Sequence, residues 1–323
     1  MIQPVRTVLS GAFAALCLLL CTTAGAAEYP ERPIRIIVPF AAGGGVDVLA
    51  RPLAKELSDI LKQSVIVENH PSSTGQIGAV DVSRATPDGY TILLSSAAFA
   101  TTPAYYPKSP YDPAKEFAPI TIVASTPQVL VASNGFAANS VKEVLATASA
   151  GNPANFARSP STVGRALATA LLSSMGKTKF LEVPYKGAGA AFTDLIGNQV
   201  DLMIDNPASS LVHVRSGKLK LLATTGAKRM ASLPDTPTVA ETLPGFEALN
   251  WFVLAAPANT PPAVLEKLRN ATLEALKRPL LRQMFERDGL DVVGNSRAEA
   301  ASFIAAEVTK WTKVVKDGGL QIQ

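Results

Sequence analysis

The sequence predicts an α/β protein whose two lobes close on a cleft like a clamshell. Short β-rich apolar runs alternate with helix-period segments, and this alternation restarts after the middle of the chain. Two longer β-rich segments bracket the restart, as strands carrying the chain to a second lobe and back would do.

In the first set, Ile34 to Phe40 reads as a buried strand. Val48 to Leu61 follows as a helix with Leu49, Leu53, Leu57 and Ile60 on one face. Pro52 is tolerated only near a helix start, so this helix begins close to Asp47 or kinks. Val65 to Val67 is a second strand, Gln76 to Ala85 a helix and Thr91 to Leu94 a third strand. Strands alternating with helices imply parallel βαβ units. The second set runs through helix Val141 to Ala148, strand Asn155 to Ala157 and helix Val163 to Met175. Strand Leu181 to Pro184, helix Ala190 to Ile196 and strands Asp201 to Ile204 and Leu219 to Thr224 complete it. The C-terminal stretch reads as mostly helical, from Pro262 to Leu276 and then as an amphipathic last helix marked by Phe303, Ile304, Glu307, Val308, Trp311, Val314 and Val315.

Ile120 to Ala132 and Ala248 to Ala256 are the two crossing segments. They give expected boundaries of 28–126 with 252–323 for lobe 1 and 127–251 for lobe 2. A clamshell holds its ligand in the cleft.

The first 27 residues read as a cleavable export signal. Arg6 is the only charge before Glu28, an apolar run continues from Gly11 to Cys21, and Ala24-Gly25-Ala26-Ala27 supplies the small residues a signal peptidase reads. The apolar run is short for a membrane anchor. Cys17 and Cys21 both lie inside this signal, so the exported chain is expected to hold no thiol, disulfide or cysteine metal site. His70 and His213 are the only histidines and lie far apart, so no metal site is expected, and no cofactor. Of 323 residues, removal of 27 leaves 296, enough for two α/β lobes with cores that need no staples. Their net charge of +3 is scattered, with clusters no longer than Lys228-Arg229 and Lys277-Arg278, and nothing points to nucleic acid.

The stretch richest in chemistry is Val38-Pro39-Phe40-Ala41-Ala42-Gly43-Gly44-Gly45-Val46-Asp47, between the first strand and the first helix. Consecutive glycines expose backbone N–H groups, and a helix N-terminus adds about half a positive charge. Together they form a seat for a carboxylate or phosphate. The same glycines suit a tight strand–helix turn, and the local sequence leaves both readings open. The stretch matches neither a phosphate loop nor G-x-G-x-x-G. Asp47 would repel an anion beside it, and capping the helix is its first reading, with ligand contact its second.

Other motifs fall in register with this one. Tyr29-Pro30-Glu31-Arg32-Pro33-Ile34 precedes it, and Val67-Glu68-Asn69, Pro87-Asp88-Gly89-Tyr90-Thr91 and Tyr111-Asp112-Pro113 follow. Val183-Pro184-Tyr185-Lys186-Gly187, Asp205-Asn206, Leu233-Pro234-Asp235-Thr236-Pro237-Thr238-Val239-Ala240-Glu241 and Ala255-Ala256-Pro257 come later. In order and spacing the whole exported chain resembles the Bug (Bordetella uptake gene) family, the tripartite tricarboxylate receptors. The resemblance implies the type II periplasmic-binding-protein clamshell, a periplasmic location and a small carboxylated solute in the cleft. It also implies delivery to the membrane subunits of a transporter. Two strand–helix loops of the family grip the carboxylate, largely through backbone N–H groups, and the first maps onto Phe40 to Asp47, with Phe40, Ala42, Gly43, Gly44, Gly45 and Asp47 as candidates.

The second loop departs from the family pattern. Here it reads Phe156-Ala157-Arg158-Ser159-Pro160-Ser161-Thr162-Val163-Gly164-Arg165-Ala166-Leu167, with Pro160 and Thr162 in place of glycines and Ala166 where a histidine is frequent. Proline has no N–H to offer. Arg158 is the first candidate to compensate, with a charge-assisted grip on the carboxylate, and Arg165 is the second; either also suits the outer surface. Ser159, Ser161 and Thr162 complete this side. Ser95 and Ser96 follow the third strand, where parallel sheets place ligands. Asp205 follows the end of another strand and suits a ligand ammonium, a bound water or a helix cap. Ser72, Ser73 and Thr74 replace a glycine-rich turn, and His70 is a departure with no catalytic reading. Trp251 is read as core, and Tyr185 and Lys186 as packing or surface.

The leading function is a monomeric solute receptor without chemistry of its own. An enzyme is disfavoured, because the chain lacks a Gly-x-Ser-x-Gly elbow, a triad's histidines and a dinucleotide fingerprint. A ligand-presenting partner of a membrane sensor kinase is the remaining alternative.

Overall fold

The computed structural model describes residues 29–106, 108–149, 153–158, 163–185 and 187–318. The expected export signal, and Ser159, Pro160, Ser161, Thr162 and Lys186, lie outside them.

Two mixed sheets form the two lobes. The first has the order β11-β4-β10-β3-β1-β2, from β1 (Ile34–Val38), β2 (Val65–Asn69), β3 (Thr91–Ser96), β4 (Phe117–Pro127), β10 (Leu249–Pro257) and β11 (Asp291–Val292). The second has the order β7-β6-β8-β5-β9, from β5 (Val129–Ser133), β6 (Asn155–Arg158), β7 (Leu181–Pro184), β8 (Leu202–Asp205) and β9 (Leu219–Thr224). Strands β1, β2 and β3 are parallel, as are β6, β7 and β8. The antiparallel members β10 and β5 belong to the crossing segments.

Helix α1 (Gly45–Leu61) begins at the last of the three glycines, and Pro52 lies within it. It lays Leu49, Leu53 and Leu57, one turn apart, into a core of the first sheet that also holds Ile34, Ile36 and Leu94. Helices α2 (Gln76–Ser83) and α3 (Ala98–Tyr105) follow β2 and β3. The short α3 has no counterpart in the sequence reading, because Ala98 to Tyr105 carries apolar residues all round, with no helical stripe. In the second lobe α4 (Val141–Ser149), α5 (Val163–Gly176), α6 (Ala188–Ile196) and α7 (Pro207–Arg215) cover the sheet. Helices α8 (Pro262–Leu276) and α9 (Pro279–Asp288) return to the first lobe, and α10 (Arg297–Asp317) ends the chain. Ser296 opens α10 with a reciprocal capping box to Glu299.

The outgoing crossing segment is one β-rich run in sequence but two strands, broken at Gln128 where the chain changes sheets. Thr225 knits this point to the return path. Its hydroxyl accepts the Gln128 N–H at 2.7 Å and donates to the Ala248 carbonyl at 2.6 Å. Its main-chain N–H reaches the Gln128 carbonyl at 2.9 Å, and its carbonyl accepts from Ala248 N–H at 2.9 Å. The hinge is therefore a three-strand knot, all of it buried.

The last helix spans both lobes. Ala300 and Ile304 pack with Trp251 and the first sheet, whereas Trp311 and Val314 join a core cluster with Phe156, Leu167 and Leu202 of the second lobe. Between them sits Glu307, 4% exposed. One of its oxygens accepts the indole N–H of Trp251 at 2.9 Å and that of Trp311 at 3.0 Å, and Lys310 pairs with the other.

Candidate functional site

A cavity of about 100 Å³ lies between the lobes. Lobe 1 lines it with Phe40 after β1, Ser73 and Thr74 after β2, and Ser96, Ala97, Ala98 and Thr102 at the β3–α3 junction. Lobe 2 contributes Gly164 and Arg165 from the first turn of α5 and Asn206 after β8. Gln128, Leu249 and Asn250 line it from the hinge. Each lobe thus presents loops that follow the carboxyl ends of its parallel strands, where crevices open in α/β sheets.

The first strand–helix loop stands partly outside this cavity. Phe40 lines it, while Ala42, Gly43 and Gly45 are exposed, Gly44 is half-buried and none of the four is a lining residue. Gly43 adopts φ +80°, the left-handed turn that glycine permits. The turn brings the Gly43 N–H onto an Asp47 carboxylate oxygen at 2.9 Å. Arg51 forks onto both Asp47 oxygens at 2.9 Å, and the Asn69 amide donates to one of them at 2.9 Å and to the Phe40 carbonyl at 3.1 Å. Burial alone would raise the Asp47 carboxyl; the Arg51 guanidinium, the Gly43 N–H and the Asn69 amide together hold it below the ordinary carboxylate range. Asp47 is therefore not the N-cap, which is Gly44; it sits in the first turn and braces the loop from inside. The N–H groups of Gly45 and Val46, first in the helix, have no intrahelical acceptor.

Ser96 lines the cavity, while Ser95 is buried in β3 beside Val253 of β10. Arg158 ends β6, is not a lining residue, and pairs through Nε with Glu182 of the neighbouring strand at 2.9 Å. The second arginine, Arg165, lines the cavity, and its Nη1 lies 2.5 Å from Asp205 Oδ1. The Arg165 side chain is 15% exposed and that of Asp205 is fully buried. Ser209, one turn into α7, donates to the other Asp205 oxygen at 2.5 Å. Asp205 thus lies behind Arg165, and its neighbour Asn206 is the one that faces the cavity. The parallel pairing of β6 with β8 puts the start of α5 beside the end of β8 and so makes the ion pair possible.

Among the described lining residues Arg165 alone carries a charged side chain. The sequence reading singled out Ser73 and Thr74 only as replacements in a turn; Thr102, whose hydroxyl holds the Thr74 carbonyl at 3.0 Å, and Asn250 carried no signal in it. Gly75 lets that turn approach the ring of Phe40, since a Cβ there would sit 2.9 Å from Cζ.

The model of the tripartite tricarboxylate transporter family receptor (TctC) matches residues 49–320. Among solved structures, the periplasmic binding protein BugD shares 36% identity at a TM-score of 0.72, covering 91% of this chain and 100% of its own. A protein of R. palustris solved with adipate is 31% identical at a TM-score of 0.75, covering 90% of this chain and 99% of its own. MatC from Rhodopseudomonas palustris, solved with bound malate, is 30% identical at a TM-score of 0.72, covering 89% and 100%. With two α/β sheets matching the fold class expected from sequence, the chain belongs to the tripartite tricarboxylate transporter receptor family and has the fold of its periplasmic solute-binding proteins.

Proposed function

We propose that this protein captures one small carboxylated solute between its lobes in the periplasm and hands it to the membrane subunits of a tripartite tricarboxylate-type transporter. The observation that carries the reading is the interlobe cavity whose single charged lining residue, among the described residues, is a cation, Arg165. Two relatives solved with carboxylates, adipate and malate, support the same class of solute. In this reading the signal is cleaved after Ala27, and the lobes divide at the crossings Gln128 and Ala248, close to the expected boundaries after 126 and 251, because β4 runs to Pro127 and β10 starts at Leu249 in the first sheet. The receptor works as a monomer and performs no chemistry. Phe40 and Ser96 contact the solute. The loop from Ala42 to Gly45, braced by Asp47, closes over it with the N–H groups of Gly45 and Val46. Ser159, Ser161 and Thr162 are further solute contacts in this reading, Ser95 and Asp205 support from behind, and Arg158, paired with Glu182, stands at the end of β6. Closure needs only a solute that binds the closed form better than the open one.

Thermal melting of the exported chain against a broad carboxylate panel tests this. A solute at 100 times its dissociation constant adds about 2.7 kcal/mol to stability. A panel in which no carboxylate raises the melting temperature refutes the reading.

A further inference from the structure

The proposed carboxylate site has a polarity along its length that narrows the solute class. One end is cationic. Gly164 and Arg165 are the second and third residues of the fourteen-residue helix α5, where main-chain N–H groups lack intrahelical acceptors. A Cβ on Gly164 would meet nothing within 4 Å, so the main chain is open to the cavity there. Beside it stands the Arg165 guanidinium, fixed by fully buried Asp205, which is itself held by Ser209. A guanidinium has five N–H donors in a planar fork, so the Asp205 contact does not exhaust it.

The other end is neutral. Phe40, Ala97 and Leu249 supply apolar walls, and Asn250 and Gln128 supply amides. The Gln128 side-chain oxygen is buried and has no hydrogen-bond partner among the described residues, an expensive condition unless a solute supplies a donor. No second cation lines the cavity among the described residues. Across the mouth, Gly43 N–H already serves Asp47 and so is not free for a second solute carboxylate. The charges of Arg165 and Asp205 also cancel, so one solute carboxylate is held by the remaining guanidinium donors and the α5 N–H groups, whereas a second would be buried with neither.

We infer that this receptor selects a monocarboxylate with an uncharged, hydrogen-bonding far end: the carboxylate meets the α5 N-terminus and Arg165, and a hydroxyl or N–H meets the Gln128 amide. Asp205 and Ser209 are positioning residues for Arg165. The inference rests on the carboxylate-receptor reading and is narrower than it.

Isothermal titration of the exported chain with three matched sets decides it: butyrate, 4-hydroxybutyrate and succinate; hexanoate, 6-hydroxyhexanoate and adipate; benzoate, 4-hydroxybenzoate and terephthalate. In the scaffold that binds, the hydroxylated monoacid is expected to bind at least about tenfold tighter than the diacid, and tighter than the plain acid. A diacid that equals or beats its hydroxy partner overturns the inference while leaving a carboxylate receptor in place. Binding by none of the nine overturns it too, whatever the broad melting panel finds. Removing Arg165 alone would strand Asp205 as an unpaired buried charge, so the second arm is the double variant Arg165→Gln/Asp205→Asn. It is expected to melt cooperatively and to lose about tenfold to a hundredfold in affinity for the best of the nine acids. A folded double variant with wild-type affinity removes Arg165 from the site.

Discussion

Glu307 is the side chain on which the two lobe cores meet, and its removal gives the sharpest stability prediction. Its carboxylate is buried and takes two indole N–H groups on one oxygen, from Trp251 at 2.9 Å and Trp311 at 3.0 Å. Those tryptophans belong to different core clusters, one on each lobe. Glu307→Ala leaves both indole donors buried without an acceptor, each at a cost of about 1–3 kcal/mol. It also opens a small void, so the expected total is about 3–5 kcal/mol. Glu307→Gln keeps an acceptor oxygen and nearly the same volume, and is expected to lose about 1–2 kcal/mol. The assay is urea unfolding followed by far-ultraviolet circular dichroism. Fluorescence is the companion signal, because these are the protein's two tryptophans and the alanine variant changes the surroundings of both. An alanine variant within about 1 kcal/mol of wild type would refute the idea that this carboxylate rivets the lobes.

Two further outcomes are expected. Thr225→Val keeps the shape of the hinge side chain but strands the Gln128 N–H and the Ala248 carbonyl, at a cost of about 2–3 kcal/mol; hydrogen exchange should show the Gln128 amide proton losing protection, and unchanged protection would count against the knot. Asp47→Asn weakens the fork from Arg51 and should cost about 1–2 kcal/mol at neutral pH. Because the folded-state pKa of Asp47 is depressed, that difference is fully present above about pH 4 and shrinks as pH falls through the lower folded value. Urea unfolding of both proteins between pH 7 and pH 2 checks it, and a difference that grows on acidification reverses the sign of the argument.

Much of the fold was legible because its information is local. Leu49, Leu53 and Leu57 repeat at one-turn spacing, and the strands around them are short apolar runs. What was not legible was decided by geometry between distant residues. Ile120 to Ala132 reads as one β-rich run, and Ser125-Thr126-Pro127-Gln128 interrupts its apolar residues without showing that the chain leaves one sheet for the other there; the partner that fixes the break, Thr225, is 97 positions away. Likewise β10 runs in the first sheet along its full length, and the return crossing falls just before it, at Ala248.

The site divides in the same way. The glycine run announced a loop rich in N–H groups, and such a loop is present, but only the folded backbone shows Gly43 already bonded to Asp47. Arg158 and Arg165 look alike in sequence, seven residues apart. Arg158 ends a strand whose outer neighbour is β7, and there it meets Glu182. Arg165 lies one turn into the next helix, on the side of the inner neighbour β8, and there it meets Asp205 at the cavity wall. The order β7-β6-β8 therefore sorts the two arginines, one to the edge and one to the cleft, and strand order is a property that a list of strands does not contain. Once that order is known the electrostatics follow. The cleft's cation sits on lobe 2, opposite a lobe 1 loop whose glycine N–H is committed to its own aspartate, so closing the lobes around a carboxylate places its charge against α5 and its far end against the hinge.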